Sequence, residues 1–270
     1  MGMLHNRLLI ILNEESSEST YYHIAVMMLR NFLELHELSI IDLAELCDVS
    51  KSTISKFIRY IGYEDFSDFR YATLIQDNKY GNDFNYATNV MNFIELNSLD
   101  TYILTIQQDI LATYQNIDWE AIDMLVRDLM NYKRVGAFGL MFSETAAMDL
   151  QTKLSYNRKF IVTNLNDIKQ EKFVEEAGED TLIIVFSDSG EFLDKYRRIH
   201  DFSNKGAFNK TKAKIVLITS NESMKNDPRV AYCVSYKKTR SMSTHRIVYG
   251  VLTDIIAFKF REAMKKAGKI

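Results

Sequence analysis

A chain of 270 residues has room for a small domain joined to a medium one, and its 47% hydrophobic and 26% charged residues are ordinary globular values. One proline and ten glycines exclude collagen-like or extended low-complexity structure, and two distant cysteines, Cys47 and Cys233, exclude a disulfide framework and fit a reducing cytoplasm. No apolar run approaches the ~18 residues of a membrane span, and a net charge of −3 supplies no bulk attraction for nucleic acid.

The chain opens MGMLHNRLLIILNEESS. Its apolar run, Leu8 to Leu12, is shorter than a signal-peptide core, and acids follow at once. The expected location is the cytoplasm, with no membrane association.

Residues 1–80 read as helices separated by short turns. Tyr22, Ala25, Val26, Leu29, Phe32 and Leu33 recur at helical spacing. Ser39 is placed to cap a short helix carrying Ile40, Leu43, Ala44 and Leu46. Cys47-Asp48-Val49 makes a tight connection. Ser50 then caps a second helix, with Ile54, Phe57, Ile58 and Ile61 on its apolar side and Gly62 at the position that closes a helix.

These two helices have the composition of a helix-turn-helix. Small Ala44 lets the second helix approach, and Val49 fills the angle between them. The other face of the second helix carries Lys51, Ser52, Thr53, Ser55, Lys56 and Arg59 behind Ser50. Short hydroxyls and long cations near a helix N-terminus suit a major-groove reader and a phosphate grip. Residues 1–80 hold seven Lys or Arg against twelve Asp or Glu, so this local basic face must overcome an acidic surrounding.

Residues 76–100 are rich in Asn and Asp, so a linker is expected over 79–100, between a DNA-binding domain at 1–78 and a second domain at 101–270. Helical pattern resumes near Asp100 and runs to Asn131, with Asp118 as a cap for a helix from Trp119. Beyond Arg134 the rhythm changes. Candidate strands at Arg134–Phe138, Lys159–Thr163, Thr181–Phe186, Lys214–Thr219 and Ala231–Ser235 alternate with mixed segments, and a last helix runs from Ser243 to Lys266. That alternation predicts an α/β domain with a roughly five-stranded parallel sheet covered by helices on both faces.

Two strand ends carry candidate ligand loops. RVGAFGLMFSETAAMDL turns at Gly139 and opens a helix at Ser143. EDTLIIVFSDSGEF turns through Ser187-Asp188-Ser189-Gly190 and Glu191. Hydroxyls and free backbone N–H groups at such places are where open α/β sheets bind phosphate. The basic stretch Lys237-Lys238-Thr239-Arg240 to His245-Arg246 reads either as a steering patch or as a solvated loop. His245 has no carboxylate beside it in sequence, so no catalytic residue, metal ligand or cofactor is expected.

Ser39 to Arg70 resembles the N-terminal domain of the RpiR family of bacterial sugar-responsive transcription regulators. The resemblance rests on Ser39-Ile40, Leu43-Ala44, Val49-Ser50, Ser52-Thr53-Ile54, Phe57, Gly62-Tyr63, Phe66 and Phe69. Lys56 stands where the family has Arg, and Asp65 where it has Gly. Asp118 to Lys266 is similar to the SIS (sugar isomerase) domain that usually follows in that family. This implies a bound phosphorylated sugar or amino sugar, with Ser143, Ser187 and Ser189 holding the phosphate and amides near Gly190 and Glu191 assisting. Two departures are Met141 in place of the first loop's second glycine and Phe192 in place of a threonine. The resemblance implies a regulator that pairs as a homodimer or dimer of dimers on an operator. The alternatives are a regulator whose SIS domain only dimerises, and a sugar-phosphate isomerase.

Overall fold

The computed structural model describes residues 3–74, 86–140, 142–194, 206–239 and 247–270. The chain divides into two compact units, Met1–Asn92 and Phe93–Ile270.

The first unit is helical. Its helices are α1 (Met3–Glu14), α2 (Thr20–Arg30), α3 (Ile40–Leu46), α4 (Lys51–Tyr60) and α5 (Phe66–Leu74), followed by α6 (Tyr86–Asn97), which begins in this unit. Leu8, Ile24, Met28, Leu43, Cys47, Ile54, Phe57, Ile58 and Phe69 form one buried cluster. Burial pushes the Cys47 thiol up to about 11, so this cysteine is a core hydrophobe and not a nucleophile. Helix α6 occupies much of the segment 79–100 expected as a linker. Val90, Met91, Phe93 and Ile94 hold helical spacing inside the Asn-rich composition that suggested a loop.

The second unit is α/β. Helices α7 (Leu99–Asn116) and α8 (Trp119–Asn131) lead into strand β1 (Arg134–Gly139). Then come α9 (Phe142–Ser155), α10 (Asp167–Glu175), β2 (Thr181–Phe186), α11 (Ala207–Lys210), β3 (Lys214–Thr219), β4 (Tyr232–Ser235) and α12 (Ile247–Lys266). The four strands pair in the order β1-β2-β3-β4, all parallel, with Gly136 opposite Ile183, Ile183 opposite Ile215 and Leu217 opposite Cys233. Alternate side chains go to opposite faces, as a pleated strand requires. Val135, Ala137, Leu182, Ile184, Val216 and Val234 meet α8, α9 and α12. Phe138, Ile183, Val185, Ile215, Leu217 and Cys233 meet α10 and α11 on the other face. Strands buried on both faces explain the continuous apolar runs in the sequence.

The expected strand at Lys159–Thr163 is present only as a single bridge. Val162 pairs in parallel with Gly136 outside β1, its N–H donating to Val135 O at 2.9 Å and its carbonyl accepting from Ala137 N at 2.8 Å. Only Ile161 of this segment is buried, while Phe160 and Val162 face solvent, so nothing holds a longer ladder. Among the described residues no helix is long and apolar enough to cross a membrane.

Candidate functional sites

Sequence dictates the geometry of α3 and α4 through their caps. Ser39 and Asp42 form a capping box, Ser39 N–H donating to Asp42 Oδ2 at 2.8 Å and Asp42 N–H to Ser39 Oγ at 3.3 Å. Those bonds hold the Asp42 carboxyl below its ordinary value. The turn closes α3 with Asp48 in the left-handed region, φ 50°, while Val49 N–H reaches back to Ala44 O and Asp48 N–H to Glu45 O. Aspartate tolerates that conformation better than most residues. The same closure ends α4, with Gly62 at φ 86° and Tyr63 N–H donating to Ile58 O.

The chain therefore enters and leaves α4 at fixed points, and its orientation is set by Ile54, Phe57 and Ile58, all fully buried. The opposite face is free. Lys51, Ser52, Lys56 and Arg59 are exposed and Thr53 and Ser55 half-buried. Ser50 caps the helix by accepting from Thr53 N–H at 3.2 Å, and its hydroxyl links to those of Ser52 (2.8 Å) and Thr53 (2.9 Å). Arg59 Nε donates to Ser55 O at 3.3 Å, which lays that cation along its own helix. The seven residues read from sequence thus lie on one helix and its cap, with a hydroxyl cluster at the N-terminal end and Lys51, Lys56 and Arg59 spread along the helix. That arrangement can grip phosphates and present short polar groups to base edges.

Two supports were not visible in the sequence pattern. Arg7, buried on α1, donates from Nη1 to Ile61 O at 2.9 Å and Gly62 O at 3.2 Å, and its guanidinium lies 4.9 Å from the Tyr63 ring centre. Tyr60 donates to Glu15 Oε1 at 2.8 Å. Both fasten the C-terminal end of α4. A single arginine inside an apolar helix was the only sequence signal available.

In the α/β unit, the chain leaves β1 toward the edge formed by Val162 and leaves β2 toward β3 on the other side. Neighbouring strands whose connections depart in opposite directions open a crevice at their carboxyl ends. Both serine loops flank that crevice. Gly139 ends β1, and a side chain there would come within 2.6 Å of Ser143 backbone, so only glycine lets α9 sit this close to the strand. Ser143, half-buried in the first turn of α9, lies beside the buried Tyr249 hydroxyl of α12. That hydroxyl also neighbours Tyr236, yet it meets hydrogen-bond geometry with neither. Burial pushes the Tyr236 and Tyr249 hydroxyls well above their ordinary values, so both are neutral donors.

Ser187, Ser189, Gly190 and Glu191 form one loop after β2. Ser187 is buried and its Oγ accepts from Phe192 N–H at 3.3 Å. Ser189 is exposed and accepts from Glu191 N–H at 3.3 Å. Gly190 has φ 83° and donates to Ser187 O at 3.2 Å. Asp188, which would repel an anion, is held elsewhere. Ser220 and Tyr236 each donate to its Oδ1 at 2.6 Å, and Lys238 pairs with its Oδ2.

After the second loop the chain makes a 3-10 turn, Glu191–Asp194, with Phe192 and Leu193 both buried. Phe192 does not crowd the crevice but packs in the core against Phe208, ring centres 5.5 Å apart. Met141, Arg240, His245 and Arg246 lie outside the described residues.

Glu144 was missed by sequence reading. It is buried in the first loop's helix, where Gly139 N–H (3.0 Å), Gln170 Nε2 (2.8 Å) and Thr163 Oγ1 all donate to it. Burial pushes its carboxyl up to about 7, against the downward pull of those bonds.

The first unit is, by fold and by its exposed basic helix, a helix-turn-helix protein domain. Residues 8–79 match the family model described as the helix-turn-helix domain of the rpiR family. No curated protein matches the chain. Among solved structures, the Vibrio vulnificus NanR protein, complexed with ManNAc-6P, is 16% identical with a TM-score of 0.46 over 97% of this chain and 93% of that one. The sugar isomerase domain of an RpiR transcription factor from Sphaerobacter thermophilus is 16% identical with a TM-score of 0.41, over 62% of this chain and 98% of that one. A phosphoheptose isomerase from Francisella tularensis is 14% identical with a TM-score of 0.42, over 62% and 96%.

Proposed function

We propose that the protein is a DNA-binding transcription regulator of sugar-metabolism genes, controlled by a phosphorylated sugar or amino sugar. The observation that carries this reading is α4, a capped helix of an rpiR-type helix-turn-helix domain whose free face holds Lys51, Lys56 and Arg59. The effector sits in the crevice between the ends of β1 and β2, with Ser143, Ser187 and Ser189 toward its phosphate and the amides of Gly190 and Glu191 beside it. Two copies pair, and each presents α4 to half of a two-fold operator. The effector changes the relation between the two readers; a coupling of ~1–3 kcal/mol is enough for a useful switch.

A second reading, a regulator whose α/β unit serves only self-association, has one observation in its favour. The amides of Gly190, Glu191 and Phe192 are already bonded inside their own loop. Calorimetric titration with a panel of hexose and hexosamine 6-phosphates separates the two. Saturable binding by one of them, weakened about tenfold or more in Ser189→Ala, supports the effector reading. No heat from any of them, with operator binding intact, supports the second.

A further inference from the structure

Helix α7 is built the wrong way round for a solvated helix. Its inward face carries Thr105, Ile106, Asp109 and Thr113, three of them polar. Those polar groups have a purpose: Asp109 accepts from Thr239, and Thr113 Oγ1 donates to Lys237 O at 2.8 Å. Its outward face carries Leu99, Ile103, Leu104, Leu111 and Tyr114, with Leu104 57% and Leu111 58% exposed. A surface helix ordinarily shows the reverse pattern.

Charge is also missing. The 18 residues LDTYILTIQQDILATYQN contain no Lys or Arg, and of their two acids Asp109 is buried. Asp100 alone is left on the exposed surface, in the first turn. Depletion of charge around exposed aliphatic and aromatic groups is the composition of an interface centre. Tyr114 packs edge-on against Trp119, ring centres 5.8 Å apart, which extends the apolar strip past the helix end.

We propose that this strip is where a second copy of the chain docks, its own α7 lying antiparallel across the first. This rests on the pairing stated under Proposed function and names its surface. Three features of the strip select that occupant. With no cations and one acid, it offers nothing to a nucleic acid or to a charged peptide. It is self-complementary about Gln107: a two-fold axis there sets Leu104 of one copy beside Leu111 of the other and brings Leu99 toward Tyr114. The antiparallel arrangement also puts the two Asp100 side chains at opposite ends, so no like charges meet. The five exposed apolar side chains present about 500 Å² per copy, hence about 1,000 Å² for the pair, which reaches the size of a specific interface.

The test is sedimentation equilibrium of the full chain as wild type, as Leu104→Glu/Leu111→Glu, and as Phe160→Glu at the open sheet edge. Leu104 and Leu111 are outside the core, so the double variant keeps the wild-type circular dichroism spectrum, and its melting falls only by what the lost association contributed. The proposal expects a wild-type dimer, an association weakened on the order of a hundredfold in the double variant, and no change in Phe160→Glu. Gln107→Cys is then joined into a covalent dimer by a short bis-maleimide, while the wild type, whose Cys47 and Cys233 are buried, is not. A double variant that still pairs like the wild type, or a Phe160→Glu chain that alone dissociates, overturns the surface and leaves the pairing. A wild type that is monomeric at all concentrations overturns the surface and the pairing together.

Discussion

The Tyr236 hydroxyl donates to Asp188 Oδ1 at 2.6 Å, binding the segment after β4 to the loop after β2. With Ser220 and Lys238 it fixes the one acid in the middle of the Ser187–Gly190 loop by bonds to its carboxylate. Lys238→Met therefore leaves Asp188 charged and freer to face the ligand. Isothermal titration with the identified sugar phosphate should show about tenfold weaker binding, roughly 1.4 kcal/mol, and Lys238→Met/Asp188→Asn should recover it. Equal weakening in both variants would mean that Lys238 touches the ligand directly.

Arg7 plays the corresponding part for α4. Its guanidinium takes up the Ile61 and Gly62 carbonyls that the end of the helix leaves open. Arg7→Ala should cost about 2 kcal/mol in the urea unfolding of the first unit, and Arg7→Lys should restore only part of that, because a point charge cannot reproduce the planar fork. Operator affinity should fall along with it.

The exposed cations of α4 make a separate prediction. Lys51→Ala and Lys56→Ala should each weaken operator binding and lower the slope of log K against log salt by about 1, without moving the melting temperature. Unchanged affinity in both would put the DNA-facing surface elsewhere.

Glu144 gives the second unit a pH dependence. Its folded value, about 7, lies above the ordinary 4.5, so the folded state keeps a proton that the unfolded chain releases. Its contribution is full below about 4.5 and is lost as pH rises toward 7, with a slope of at most about 1.4 kcal/mol per pH unit. Glu144→Gln should flatten that part of the stability curve. A wild type and variant with parallel curves from pH 4.5 to 7 would show that the donors around the carboxylate outweigh its burial.

Much of this was legible in the sequence because local chemistry and tertiary packing agree. Ser39, Ser50, Asp118 and Gly62 cap where their types predict, and β2 and β3 match their apolar runs to the residue, since both are buried on two faces. The misses come from long-range partners. Lys159–Thr163 has a strand's composition, yet it lies at an edge with one neighbour and pairs through a single residue. Phe192 stands in a ligand loop where the resemblance expects a threonine, and sequence does not show that its ring packs in the core against Phe208. Sequence likewise does not show what holds Asp188, since its partners, Ser220, Tyr236 and Lys238, are 32 to 50 residues away. Tyr236 and Tyr249 gave no signal, since a buried aromatic reads as core until its hydroxyl is placed.

The central claim is an rpiR-type DNA reader governed by a sugar phosphate. Its most direct test is fluorescence anisotropy of the full chain on a labelled fragment of its own upstream DNA, at two salt concentrations, with and without each 6-phosphate of the panel. The account predicts tight binding that weakens steeply with salt and is shifted about tenfold by one sugar phosphate, in keeping with the coupling above. Specific binding that no sugar phosphate alters would contradict the effector, and no sequence-specific binding to upstream DNA at either salt would contradict the account itself.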